Sequence, residues 1–558
     1  MRFPRPFPAV CFAIVVAGGQ LSLPAQAPAA PPATPTTPVW EPFHLGTHHW
    51  AVSTKNPKAQ LAFDQGLIWA FAFNHDEAMR AFQEAARLDP HLAMAWWGLA
   101  LVNGPHINNP MVDEAHAKAA WEALGEAKQR LAYASPKEKA LIGALGSRYA
   151  NPQPADRKAL DEAYATAMAS VAKRYPKDAD VVTLYAESLM DVRPWDQWTH
   201  EGEPQPGTKE ILAALHQALK LNPRHPGALH LTIHTLEASP HPERAKFAAD
   251  RLRNMVPDAG HLVHMPGHIY ARIGEWKEAA EANVRAIAAD DRYKARQPVI
   301  GFYGLYMLHN EHFLAYTAMM EGRKQVALDE TKTVATTLPL AWVKENAVFA
   351  DAFQSVHLEA LKRFGLWEQL LDAPAPDPAL PLSSAYAHAL RATAFAALGK
   401  VEEAMKEQAA FESGIAKVPA EFMWGSNPAS AVLQAQKEIL AGEIAYRQDK
   451  MDEAVSHLQL AVKLEDALKY DEPPDSIIPA RHSLGAVLLA AGRPQEAEIV
   501  YREDQKAYPA NVWSLIGLQR ALKASGNPTK VVDAQLAKAL LRSDIHAGTS
   551  CLCVGAEP

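Results

Sequence analysis

Apolar and polar positions alternate along most of the chain with the three-to-four-residue spacing of amphipathic helices, and long β-branched alternating runs are absent. The stretch AQLAFDQGLIWAFAFNHDEAMRAFQEAARLDP shows the unit. With Ala59 as position 1, Gly66 falls at 8, Trp69 at 11, Ala78 at 20, Phe82 at 24, Ala85 at 27 and Pro90 at 32. The pattern predicts two antiparallel helices that approach closely at their small residues, the second ending at the proline. The register recurs. A unit from Gly260 has Gly267 at 8, Tyr270 at 11, Gly274 at 15, Ala279 at 20 and Ala286 at 27. Later units carry Gly322 with Ala327, Gly399 with Ala404, Gly442 with Ala454, and Gly485 with Ala497 and Pro509. The segments NHDEA, GEWKEA, GKVEEA, DKMDEA and GRPQEA mark the turn into each second helix.

These positions resemble the 34-residue tetratricopeptide repeat from about Ala59 to about Leu541. The resemblance implies an all-α fold, a right-handed superhelical solenoid of helix pairs, and no particular function. The segments HHWAVSTKNPKAQ, HLVHMPGHIYARIGEW and YDEPPDSIIPARHSLGAVLL further resemble a branch of exported bacterial tetratricopeptide proteins, which implies no activity. Two stretches break the period, 103–111 (NGPHINNPM) and 193–208 (RPWDQWTHEGEPQPGT), and read as loops on one face. A third loop, 470–479, sets Glu472 and Asp475 beside a stiff Pro-Pro and is placed to reach towards the groove.

The N-terminus reads as a signal peptide over 1–27: Arg2 and Arg5, a short apolar run, then Ala25-Gln26-Ala27. A Pro/Ala-rich linker and N-terminal extension follow over 28–58, so the protein is expected to be periplasmic or secreted. N-terminal repeats with insertions then occupy 59–222, histidine-rich central repeats 223–345, C-terminal repeats 346–545 and a tail 546–558. No other apolar stretch is long enough to span a membrane. A formal net charge of -8 gives no support to nucleic-acid binding. Without the signal peptide two cysteines remain, Cys551 and Cys553. They are read as part of a frayed tail, with a local disulfide or a metal as alternatives.

The candidate chemistry lies in the histidines. Nine of the 23 fall between His225 and His312. Positions 2, 5, 9 and 12 of a first repeat helix face the concave groove. His230 and His234 occupy 5 and 9, and His264 and His268 repeat those positions 34 residues later. His261 is at 2, and in the next repeat His309 and His312 are at 2 and 5. Imidazoles from neighbouring helices can converge on a transition metal; the cluster has ligands enough for one ion or for two, and ligand type alone leaves Cu, Fe or Zn open. Glu237 and Glu311 are candidate ligands, orienting groups or general bases. Pro266 should kink the histidine helix or make it start late. His75 is placed in an inter-helix turn and His482 far along the array, while His48 and His49 are assigned no distinct role.

Three readings follow. The first is a metal-dependent oxidoreductase or hydrolase acting on a small molecule or peptide in the groove. The second is a non-catalytic metal-binding protein of the cell envelope. The third is a scaffold for a protein partner. An HExxH motif and phosphate-binding glycine loops are absent. The lysine and asparagine that clamp a peptide carboxylate in such scaffolds are replaced by histidine, which weakens the third reading.

Overall fold

A computed structural model describes residues 40–297 and 301–554. The signal-peptide reading concerns residues that lie outside this range. Among the described residues the regular structure is helical apart from two paired two-residue strands, Met423–Trp424 and Asn427–Pro428, and an isolated bridge between His106 and Asn109. The chain forms two compact units. The first runs to Gln197 and includes Pro204–Leu231 and Met255–Ala259; the second comprises Trp198–Glu203, Thr232–Asn254 and the chain from Gly260.

In the first unit, Pro57–Phe71 packs on His75–Leu88, Ala93–Val102 on Glu114–Gln129, and Lys158–Arg174 on Ala179–Val192. The helix starts are written in the sequence. Asn56 accepts hydrogen bonds from the amides of Lys58 and Ala59, with Pro57 as the first helical residue. Asn74 caps the next helix through the amide of Glu77, and His75 is its first residue. The repeat's small positions have a visible purpose. A Cβ at Gly66 would lie 2.7 Å from the Phe82 ring, and one at Gly98 2.6 Å from it. Phe82 therefore fills the space between two first helices, and only glycine lets all three close up.

The same device recurs in the second unit. Ala429–Arg447 pairs with Met451–Asp466, where a Cβ at Gly442 would lie 2.5 Å from Leu458. Ala480–Ala490 pairs with Pro494–Ala507, and Tyr501 there sits against Gly485 and Gly517. Trp276–Arg296 packs on Gly260–His264, on Pro266–Arg272 and on Gly304–Glu321, which packs in turn on Lys324–Thr337. Gly304–Glu321 ends at Gly322 in the left-handed region, φ 69°. The fold is all-α and built of tetratricopeptide-type helix pairs.

The tail departs from the frayed end expected of it. Cys551 and Cys553 form a disulfide and are buried. Arg447 donates to the Cys553 carbonyl, Tyr446 Oη to that of Val554 (2.8 Å) and Ser550 Oγ to that of His482 (2.7 Å). Repeat side chains thus satisfy tail carbonyls, and a tail hydroxyl satisfies a carbonyl of the repeats.

Candidate metal centre

The histidine segment is broken where proline requires it. Pro266 has no N–H to give the carbonyl of Leu262, and its ring crowds the preceding turn. The helix therefore divides into Gly260–His264 and Pro266–Arg272, joined by Met265 at φ -48°, ψ -37°. The amide of His268 bonds to the carbonyl of Met265 at 3.3 Å, one residue nearer than in an α-helix. Across this break the Nε2 atoms of His264 and His268 stand 2.8 Å apart.

Hydrogen bonds fix which nitrogen of each ring carries the proton. Asn283 Nδ2 donates to the Ala279 carbonyl (2.9 Å), so its Oδ1 must accept from His264 Nδ1–H (2.7 Å). His234 Nδ1–H donates to Glu237 Oε1 at 2.7 Å. His268 Nδ1 faces Glu472 Oε2 at 3.3 Å and Glu237 Oε2 at 3.0 Å. In all three rings Nδ1 bears the proton and Nε2 is the basic nitrogen. This is the arrangement in which a carboxylate or amide orients a ligating histidine.

His309, from Gly304–Glu321, completes the group. Its ring centroid lies 4.8 Å from that of His264 and 5.6 Å from that of His268, and the ligand atoms of the three fall within 4.8 Å of one another. Nitrogens sharing a tetrahedral ion at 2.0–2.1 Å are about 3.4 Å apart, so rotamer-scale movement suffices. Burial, and then the charge of neighbouring His268, hold His264 and His234 well below the usual imidazole range; the same two causes act on His309. Burial also opposes a charge on His268, but the facing Glu237 and Glu472 outweigh it and raise its value. A proton between the His264 and His268 Nε2 atoms accounts for their short contact when no ion lies there.

The other expected residues divide. His261 lies beside the centre, its centroid 6.0 Å from those of His234 and His264, and its amide donates to Tyr303 Oη at 3.0 Å. His230 belongs to the first unit, where Nδ1–H donates to the Phe71 carbonyl (2.7 Å). His312 turns to Phe353, 5.6 Å between centroids. Glu311 is outside the centre and accepts from Thr337 Oγ1 at 3.5 Å. At about 100° per residue, a helix that aims His309 inwards turns Glu311 to the far side. His234, His261, His264 and His268 are buried, not exposed along an open groove wall.

Two contributors come from elsewhere in the chain. Glu472 arrives from the 470–479 loop and also lines a cavity of about 160 Å³ with Arg272, Tyr316, Tyr470 and Tyr508. Asn283 occupies position 24 of its repeat, where other copies hold Phe82, Leu458 and Tyr501. A polar residue at that packing position was the available signal, and the histidine count overlooked it.

A second cluster, in the first unit, has the opposite tautomer. His48 Nε2 lies 2.8 Å and His225 Nε2 3.1 Å from Asp180 Oδ1. His225 Nδ1 accepts from the amide of Ala228 (3.1 Å), so Nε2 must carry the proton and donate to Asp180. Neither nitrogen of His225 is left to ligate. His482, in the second unit, has only its Nε2 engaged, 3.1 Å from both Asp504 Oδ2 and Ser514 Oγ, with Ser514 donating to Asp504; its Nδ1 is buried without a hydrogen-bond partner among the described residues.

No known family profile matches the sequence, and no curated protein does. Among solved structures, the human IFIT1 dimer with PPP-AAAA aligns over 86% of this chain and 89% of its own, at 15% identity and a TM-score of 0.32. The Cut9-Hcn1 hetero-tetramer of the APC/C aligns over 86% of this chain and 76% of its own, at 13% identity and a TM-score of 0.29. Superpositions this loose carry no argument; the fold assignment rests on the helix pairs themselves. No described helix is long and apolar enough to cross a membrane.

Proposed function

We propose that the protein is a metal-dependent enzyme whose ion, of the Cu, Fe or Zn class, is held by His264, His268 and His309. The observation that carries this reading is the proton arrangement: Nδ1 donates outwards in His264 and His268, which leaves their Nε2 lone pairs converging. Three imidazoles leave a four-coordinate ion one exchangeable position, the feature that separates catalytic from structural sites. Glu237 and Glu472 orient His234 and His268, and the cavity lined by Glu472 is the place for a small substrate. The apolar leader and the Cys551–Cys553 disulfide support action in an oxidising compartment outside the cytoplasm.

Elemental analysis of untagged protein tests the reading, beside a variant carrying His264→Ala and His268→Ala. The expected result is stoichiometric metal in the parent and its loss in the folded variant. A parent that holds no metal, even after reconstitution, overturns it. Azide or cyanide should then shift the spectrum of the cobalt- or copper-loaded parent. An unshifted spectrum means a closed, structural ion and removes the enzymatic part.

A further inference from the structure

Two carboxylates meet one nitrogen at this centre. His268 Nδ1 lies 3.0 Å from Glu237 Oε2 and 3.3 Å from Glu472 Oε2, and the ligand atoms of these groups all fall within 4.8 Å of one another. A single acceptor is enough to fix a tautomer, and Glu472 supplies it through its hydrogen bond with Nδ1. Glu237 is surplus to that task. Its Oε1 serves His234, while Oε2 is fully buried and accepts no hydrogen bond. Arg272, the nearby cation, directs its guanidinium at the backbone carbonyls of Glu237, Ala507 and Ser239. Two buried carboxyls therefore share one imidazolium and, beyond hydrogen-bond reach, the charge of Arg272, so the pair needs a further proton or a further cation to be compensated.

From this geometry we infer a second cation site formed by Glu237, Glu472 and Nδ1 of His268, so that His268 bridges two ions as an imidazolate. The inference rests on the metal centre proposed above. Neutral His268 has one ring proton, on Nδ1. The second ion takes that proton's place, the proton leaves to solvent, and no electron is transferred. The donor set of one nitrogen and two carboxylates suits a divalent ion of borderline softness, Zn²⁺ or Cu²⁺.

The test is a titration of the full chain with Cu²⁺, followed by electron paramagnetic resonance and by metal retained after dialysis. One equivalent should give a single-ion signal. A second should extinguish it, because two d⁹ ions joined by an imidazolate couple antiferromagnetically. Glu472→Gln still accepts from Tyr470 and from His268 Nδ1–H, so it should fold and bind a single equivalent, more weakly than the parent, and its single-ion signal should survive further copper. Glu237→Gln serves the same purpose if circular dichroism shows Glu472→Gln unfolded. Saturation at one equivalent in the parent overturns the second site and leaves the first standing. Two uncoupled ions, or two equivalents in the carboxamide variants, also overturn it. A parent that binds no copper fails both readings together.

Discussion

The clusters around Asp180 and around His264 use the same residue types, and the placement of one proton gives them different chemistry. In the first, the amide of Ala228 donates to His225 Nδ1, which forces Nε2 to donate to Asp180. The ring becomes a hydrogen-bonding brace. In the second, Asn283 and Glu472 accept from Nδ1, which turns the basic Nε2 atoms of His264 and His268 towards each other. Proximity of histidines and carboxylates therefore does not define a metal site. The partner of the far nitrogen does.

The largest effect expected from this contrast is on stability. Replacing both His48 and His225 by Ala strands the buried Asp180 carboxylate and should cost about 3–5 kcal/mol in chemical denaturation, with the bound metal unchanged. Loss of metal in that variant would erase the distinction between the clusters. Asn283→Leu probes the other side. Leucine is what the repeat carries at Leu458, so the helix pair should still form, but the buried His264 Nδ1 loses its partner and the unloaded protein should be destabilised by about 1–3 kcal/mol. Losing the group that fixes the His264 tautomer should also weaken metal binding about 10–100-fold by equilibrium competition with a chelator. Equal affinity would show that the tautomer is unimportant.

The smallest effect is a pH dependence. Burial lowers the His225 imidazole, and burial, followed by the charge of Arg148, lowers His75 to about 3. At these two sites the unfolded state therefore takes up protons first as the pH drops through 6.5, and their contribution to stability falls from there downwards. Burial alone would raise Asp180, but hydrogen bonds from His225 and His48 outweigh it and the net shift is down. Its contribution is present above the unfolded value of 3.8 and is lost as the pH falls below it. Asp290 and Glu465 act in the opposite sense: burial raises both to about 8, and stability on their account grows as the pH falls through that value. The parent should therefore lose more melting temperature between about pH 6.5 and 4 than the His48→Ala, His225→Ala variant, and an equal loss contradicts these assignments.

Much of this was legible in the sequence because the repeat is a local device. Gly66 and Phe82 predict their own contact, and counting by 34 brings His264 and His268 to light in one row. Pro266 announced a break, and the break is present. The charged loop at 470–479 was placed to reach inwards, but which ring Glu472 would meet, 204 residues away, depends on tertiary packing. Asn283 was readable yet unread, as the polar exception at a packing position. His312 matched the periodicity and still points elsewhere, since a few tens of degrees of helix rotation exceed what residue spacing specifies; Glu311, at position 4, stood off the groove-facing positions from the start. The docking of Cys551 and Cys553 depends on Arg447 and Ser483, which no local pattern connects to a tail.

The central claim is that Nε2 atoms of His264, His268 and His309 bind one ion. X-ray absorption on the protein loaded with a single equivalent of zinc tests it most directly. The account predicts about three imidazole nitrogens at 2.0–2.1 Å, with the outer-shell scattering of imidazole rings, reduced by one ring in His309→Ala. A first shell of oxygens alone, or an unchanged spectrum in that variant, would contradict it.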